Sequence, residues 1–361
     1  MKIIYDNIIY AKSQNGGISN YWFELTKFLL NKNEDIAFFE QQAALNNFHR
    51  KQLPIKPESI IAEKSSNNIL SRLSPVKLTT NEYFLYHSSY YRPVKAKNAY
   101  CEITTIHDFT HNFYSSLAKQ FVHNKLKYSS IKNSNGIICI SKNTYKDLLR
   151  FCPPKKNQKV EVIYNGVSPE YFKIDDLNKY EPYLKSNNIT GDFLLFVGSR
   201  ANYKNFYFAA NLLKQLPNLQ FVVVGAPFNE NELKVLGAAL LARTIVITNA
   251  QNSELNILYN NAKAFIYPSS YEGFGIPVAE AMKAGCPVLA LNNSSIPEVA
   301  GDAALLFDTL SINDFKSGIE NLSNKDFRKE IIEKGFGQSK KFSWQKCCEE
   351  TYAFYKENYN N

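Results

Sequence analysis

The stretch FLLFVGSRANYKNFYFAANLLKQLPNLQFVVVG, residues 193–225, holds two short apolar runs separated by a helix-like span. FLLFVG (193–198) and LQFVVVG (219–225) are continuous in Phe, Leu and Val rather than alternating, as expected of strands buried on both faces. The residues between them, from about Tyr203 to Leu216, carry a helical pattern. The motif repeats downstream in TIVITN (244–249), AFIYPS (264–269), PVLALN (287–292) and AALLFD (303–308). Helices intervene at about 229–242 and after Ser253, a good N-cap residue. Short apolar strands alternating with helices predict a doubly wound, parallel α/β sheet.

The first half repeats the pattern less cleanly. Strands are expected at 2–9 (KIIYDNII), 36–40, 83–89, 102–108, 136–141 and 160–167. Ile18, Trp22, Leu25, Phe28 and Leu29 form the apolar stripe of a helix after the first of them. Residues 41–78 show no clear period and read as loop with short helices. Strand pattern gives way to turn residues at NGVSPEYF (165–172), so the expected domains are 1–168 and 169–340. The last stretch, 341–361, reads as a helix that packs back across the boundary. At 361 residues the chain is long enough for two cores.

Composition narrows the function. With 45% hydrophobic and 21% charged residues the chain is of ordinary globular type. No apolar run reaches the roughly 18–20 residues that span a bilayer. MKIIYDNIIY opens directly as a strand-like pattern without a signal peptide's apolar region, which predicts a cytoplasmic protein. Cysteines 101, 139, 152, 286, 347 and 348 have no metal-type spacing and are expected as reduced thiols. The net charge of +9 is uneven: residues 1–168 carry 23 Lys+Arg against 12 Asp+Glu, and residues 169–361 carry 19 against 21. A basic first half suits an anionic partner such as an acidic membrane surface or a phosphorylated ligand. Nucleic acid is disfavoured, because no helix-turn-helix, RNP-type or zinc-finger pattern accompanies the charge.

In open parallel sheets ligands bind at the carboxyl ends of the strands, and four segments there stand out. QNGGISNYW (14–22) places Gly16 and Gly17 before a helix, where backbone can approach a phosphate. IHDFTH (106–111) ends a strand with His107, Asp108 and His111; these are strand-end polar residues or, alternatively, metal ligands, although no further ligand cluster accompanies them. Arg200 and Lys204 follow the strand at 193–198 as two cations at a helix start, where the dipole disfavours them unless a pyrophosphate is bound. SSYEGFGIPVAEAMKAG (269–285) places Glu272 in a loop and Glu280 in the first turn of the next helix. The N–H groups of Gly273, Phe274, Gly275 and Ile276 lie between them. Carboxylates accept hydrogen bonds from vicinal diols, so the pair suits a ribose and a hexose.

EGFGIPVAEAM (272–282) resembles the E-x7-E motif of the family 4 glycosyltransferases. NGGISNYW resembles that family's Gly-rich first loop, TIHD its strand-end His-Asp, VIYNGVSPEYF its hinge, FVGSRANYKNF its diphosphate segment and SSIPEVAGDAALLFD the stretch beside the nucleotide. The resemblance implies a GT-B fold: two Rossmann-like doubly wound domains facing a cleft, the first for acceptor, the second for nucleotide sugar, with the C-terminal helix crossing back. It implies a retaining hexosyltransferase. Glu280 would hold the ribose and Glu272 the transferred sugar. Arg200 and Lys204 would neutralise the leaving diphosphate in place of a metal, helped by Gly16 and Gly17. His107 would meet the sugar, Asp108 the acceptor, and Glu298 the nucleotide.

No cofactor is implied, since the nucleotide sugar is a substrate. The stretch SSIPEVAGDAALLFD leans towards mannosyltransferases of surface polysaccharide and O-antigen (lipopolysaccharide) assembly, hence GDP-mannose. UDP-hexoses and deoxyhexose donors stay open. The acceptor is expected to be a saccharide on a lipid carrier, with the protein peripheral on the inner face of the cytoplasmic membrane. A retaining glycosidase would leave Arg200 and Lys204 idle. A dinucleotide oxidoreductase lacks its glycine fingerprint. A non-catalytic two-lobe sugar-binding protein is the remaining alternative.

Overall fold

The computed structural model describes residues 1–63 and 74–360. The chain divides into two compact units, residues 1–166 with 344–361, and residues 167–343.

In the first unit the strands are β1 (Lys2–Asp6), β2 (Asp35–Glu40), β3 (Ile60–Ala62), β4 (Val76–Leu78), β5 (Phe84–Ser88), β6 (Val94–Ala96), β7 (Tyr100–Ile106), β8 (Gly136–Cys139) and β9 (Lys159–Val162). Seven form one sheet in the order β3-β2-β1-β5-β7-β8-β9, and β4 pairs with β6 apart from it. Every pairing is parallel. The first strand is shorter than its apolar run suggests. It stops at Asp6, and Ile8–Lys12 coils into a helix that buries Ile8, Ile9 and Tyr10. An alternating apolar run of this length fits either period, and packing chose the helix. Residues 41–63 hold three 3₁₀ turns, as the weak period suggests, but also the edge strand β3. β3, three residues of Ile-Ile-Ala, is too short to show a period in the sequence. Residues 64–73 of that expected loop lie outside the described residues.

The helix Gly17–Asn31 buries Trp22, Leu25 and Leu29 against this sheet. The C-terminal helix Trp344–Tyr359 belongs to the same unit. Its Tyr355 hydroxyl lies 2.8 Å from that of Tyr5 and 2.5 Å from Nδ1 of His87. Gly136 permits the close approach, since a Cβ there would stand 2.7 Å from the Phe354 ring.

In the second unit β10 (Phe193–Val197), β11 (Gln220–Val224), β12 (Thr244–Ile247), β13 (Ala264–Tyr267), β14 (Val288–Leu291) and β15 (Leu305–Phe307) run parallel in the order β12-β11-β10-β13-β14-β15. This is the doubly wound order expected from the repeating apolar runs, and it reverses between β10 and β13. The helix after β12 is capped by Gln251 in a capping box with Glu254 rather than by Ser253, which lies inside it. All six cysteines are free and buried.

Candidate active site

The switch point of the second sheet places the loops after β10 and β13 side by side. Asn205, in the left-handed region at φ 52°, ties them together: its Nδ2 donates to the Pro268 carbonyl and to Ser270 Oγ, both at 2.7 Å. The Ser270 N–H returns a bond to the Tyr203 carbonyl at 2.8 Å. Lys204 closes the 3₁₀ turn Asn202–Lys204, and its Nζ donates to the Glu272 carboxylate and to the Tyr267 hydroxyl, the latter at 3.2 Å. Lys204 and Glu272 are thus brought together as an ion pair of low exposure. The loop after β14 supports the glutamate from behind. The Glu272 N–H donates to Ser294 Oγ, and buried Ser295 donates from Oγ to the carbonyls of Glu272 and Phe274, each at 2.9 Å.

Gly275 caps the next helix, Ile276–Ala284, at φ 97°. A Cβ there would meet Ile296 Cδ1 at 2.7 Å, so the turn needs glycine for both conformation and space. Pro277 is the second helical residue and Glu280 the fifth, one turn further in than the sequence reading placed it. The Gly275 cap starts the helix only at Ile276, which moves Glu280 off the first turn. Glu280 sits beside Tyr259, whose hydroxyl donates to Oε2 at 3.4 Å, and beside Tyr171. Burial pushes its carboxyl up to about 7, with the two tyrosines pulling the other way. Phe274 is buried edge-on against Phe342, Gly273 is half-buried, and Glu298 lies in the first turn of Ile296–Ala300.

Arg200 is already paired within the second unit. Its Nε donates to Glu232 Oε1 at 2.8 Å, its Nη2 to the Pro227 carbonyl at 2.7 Å, and the guanidinium lies 4.9 Å from the Phe228 ring centroid. Glu232 also closes the capping box of the Glu230–Leu241 helix with Asn229. The charge that looked unbalanced at a helix start is therefore balanced by a residue 32 positions away. Nη1 of Arg200 is buried with no hydrogen-bond partner among the described residues, which leaves one donor for an anion.

In the first unit Gly16 caps the Gly17–Asn31 helix in an exposed loop, and its N–H donates to Asn15 Oδ1 at 2.7 Å. That amide is satisfied by a neighbouring side chain rather than left open. Strand β7 ends at Ile106, so His107 and Asp108 open the loop beyond it. His107 is buried edge-on against Tyr21, with ring centroids 5.1 Å apart. Burial pushes it down to about 4, and its Nε2 has no partner among the described residues. His111 stacks on His123 at 3.9 Å instead of joining His107. Among the described residues no three His, Cys, Asp or Glu side chains are grouped to hold a metal ion.

Sequence reasoning missed Tyr267, Ser294, Ser295, Tyr171, Tyr259 and Glu232. Only Glu232 carried a legible signal, the Asn-x-x-Glu capping spacing.

Residues 15–171 match the family model described as Glycosyltransferase Family 4, and residues 183–338 that of glycosyl transferases group 1. The chain belongs to glycosyltransferase family 4.

The family 4 chain is 26% identical over 287 residues to the O-antigen chain mannosyltransferase B of Escherichia coli, spanning 76% of this chain and 74% of that protein. It is 30% identical over 224 residues to the O-antigen chain mannosyltransferase RfbU of Salmonella typhimurium, spanning 60% of each. It covers only 29% of the larger E. coli mannosyltransferase WbdA. Among solved structures, sucrose-phosphate synthase from Thermosynechococcus elongatus superposes with TM-score 0.76 at 15% identity over 99% of both chains. Anabaena HepE, in complex with UDP and glucose, gives 0.73 at 14% over 99% of this chain and 100% of that one. These likenesses establish the GT-B fold of a family 4 glycosyltransferase.

Proposed function

We propose that the protein is a retaining hexosyltransferase that moves mannose from GDP-mannose to a lipid-linked saccharide during surface-polysaccharide (O-antigen) assembly. The observation that carries this reading is the Lys204–Glu272 pair at the β10/β13 switch point. An ammonium and a carboxylate there, released from each other, offer a counter-charge to a diphosphate and two acceptor oxygens to sugar hydroxyls. The relatives named as mannosyltransferases support the sugar.

In this reading Glu280 takes the ribose hydroxyls, and Arg200 Nη1 adds a second donor to the diphosphate. Glu298 and the 273–276 backbone line the nucleotide and sugar. Gly16 and Gly17 lend their backbone N–H groups to the diphosphate, that of Gly16 in exchange for Asn15 Oδ1. His107 faces the sugar and Asp108 the acceptor. The cations take the place of a divalent metal, so turnover persists in EDTA. UDP-glucose is the second donor to try, because HepE was solved with UDP-glucose.

A basic first unit suits an anionic lipid surface. Residues 109–146 carry six lysines and no Asp or Glu, and within them Leu117 is 83% and Phe121 71% exposed. No helix among the described residues is long and apolar enough to cross a membrane.

The test is a panel of nucleotide sugars scored by thermal shift and by hydrolysis. Donor at about 100 times its Kd adds about 2.7 kcal/mol of stability, a clear rise in Tm. Preference for GDP-mannose supports the reading, preference for a UDP-sugar moves it to the second donor, and stabilisation without turnover points to a binding protein.

A further inference from the structure

Lys127, on the Leu117–Asn133 helix, is fully buried. Lysine is almost never found so unless it is paired, and none of the roles assigned above uses it. Its Nζ donates to the Asp108 carbonyl at 2.6 Å and lies 4.4 Å from the Phe109 ring centroid and 5.5 Å from that of Tyr91. The carboxylates that act on it are those of Asp108 and of Asp147 on the Lys142–Phe151 helix. Tyr91 is itself held at φ 56°, a costly conformation for a bulky residue, and its hydroxyl accepts the His107 N–H at 3.4 Å. A buried cation therefore stands at the root of the loop that carries His107 and Asp108.

We propose that Lys127 is a positioning residue for His107 and Asp108: its buried ammonium anchors the Asp108 carbonyl at the root of their loop and sets the field that both side chains feel. The imidazole then offers its unpartnered Nε2 to a sugar hydroxyl. The proposal rests on reading His107 and Asp108 as the residues that meet sugar and acceptor.

Electrostatics agree with the geometry. Burial pushes the Asp108 carboxyl up, but Lys127 and the Thr110 hydrogen bonds outweigh it and leave it below its usual range. For His107 burial dominates, Asp108 pulls upward and Lys127 pushes down. The other groups that face this cluster are Tyr21 from the Gly17–Asn31 helix, His87 from β5, and His123, which packs against Tyr90 and Tyr91 and stacks on His111. His87 is neutral and fully buried, and burial pushes His123 down to about 3, so Lys127 is the cation acting on His107 at neutral pH. Lysine in this place also loses charge readily, since burial brings it down to about 8.

The test uses the full chain with Lys127→Gln, which keeps an amide donor for the carbonyl but no charge, and Lys127→Met, which keeps neither. His107 is followed by NMR in protein labelled at histidine Cε1, its signal assigned by its loss in His107→Asn. In both folded variants His107 should titrate at least about half a pH unit higher, the scale of one charge lost at short range in a partly screened site. GDP affinity should stay within about twofold, because GDP is read as a ligand of the other unit.

With GDP-mannose as donor, kcat should fall about 10-fold or more with KM little changed, the split expected of misplaced reacting groups. An unshifted His107 titration in a folded Lys127→Gln protein overturns the proposal. Should neither variant fold, the wild type decides: its His107 signal should move a second time as Lys127 loses its proton near pH 8, and a flat response there overturns the coupling. A shifted titration with unchanged turnover upholds Lys127's hold on His107 and removes His107 from the reaction instead.

Discussion

Lys204 and Glu272, on the loops that follow two adjacent strands of opposite winding, form an ion pair across the switch point of the second sheet. Neither exposes more than 13% of its side chain. Each is therefore the other's partner until a substrate supplies a better one.

Removing one member should leave the other poorly solvated. Lys204→Met or Glu272→Gln should each cost about 1–3 kcal/mol of stability in urea unfolding, and the double variant less than their sum. Each should also cost about 2–3 kcal/mol in kcat/KM for the donor, the scale of one lost oxyanion-type donor. Additive stability losses would show that the pair is not coupled.

Arg200 and Glu232 should behave as a buried pair. Their side chains are 6% and 5% exposed, and Glu232 also caps a helix. Arg200→Ala should lower stability by about 3–5 kcal/mol, as removal of one partner of a buried pair does. Glu232→Gln keeps one of the two acceptor oxygens that Arg200 Nε and the Asn229 N–H use, and should cost less in melting temperature. GDP should bind Glu232→Gln at least as well as wild type, since the guanidinium is freed for phosphate; weaker binding would place Arg200 outside the diphosphate site.

Nucleotide affinity should depend on Glu280 and pH. Its carboxyl, raised by burial to about 7, must be ionised to accept from both ribose hydroxyls. GDP affinity by calorimetry should therefore rise from pH 6 to pH 8 and be flat in Glu280→Gln. Stability runs the other way: a raised carboxyl favours folding most below its unfolded value near 4.5, and that advantage is lost as pH rises through about 7. Glu280→Gln should thus gain stability over wild type at pH 8 and not at pH 4.

Vesicle binding should map to Leu117, Phe121 and the exposed lysines rather than to every lysine in the segment. Each apolar side chain is worth about 1.5–3 kcal/mol when fully buried in lipid, so Leu117→Ser with Phe121→Ser should abolish binding to phosphatidylglycerol vesicles. Wild-type binding should fade as salt rises, and charge reversal at Lys95, Lys97 and Lys125, all exposed, should weaken it and flatten that salt dependence. Lys127 belongs to a different account because it is buried beneath Asp108; its side chain cannot reach a surface. In SRLSPVKL (71–78), a further stretch where basic and apolar residues interleave, residues 71–73 lie outside the described residues. Equal binding to phosphatidylcholine alone would leave the basic charge without a lipid role.

The strands of the second unit were legible because a parallel strand buried on both faces must be apolar at every position, and six such runs admit few other arrangements. The Glu272 and Glu280 loop was legible for a related reason: Gly275 and Pro277 break the helix period and announce a turn into a helix. In the first unit the same cues were weaker, since Ile8–Lys12 fits two periods and β3 is too short to carry one.

Charge was another matter. A sequence records which residues are ionisable but not which counter-charge each one meets, because partners are chosen by strand order and helix packing across tens of residues. Arg200 meets Glu232, Lys204 meets Glu272, and Lys127 meets the Asp108 carbonyl only once the sheets are wound. In one dimension Lys125 and Lys127 are alike; only the packing of Phe109 and Tyr91 around the second makes one a surface charge and the other a buried one. The sequence by itself determined the two doubly wound sheets and the loops at their carboxyl ends. Tertiary structure alone decided which of the cations there are already neutralised and which remain available, since burial and ion pairing are properties of neighbours in space.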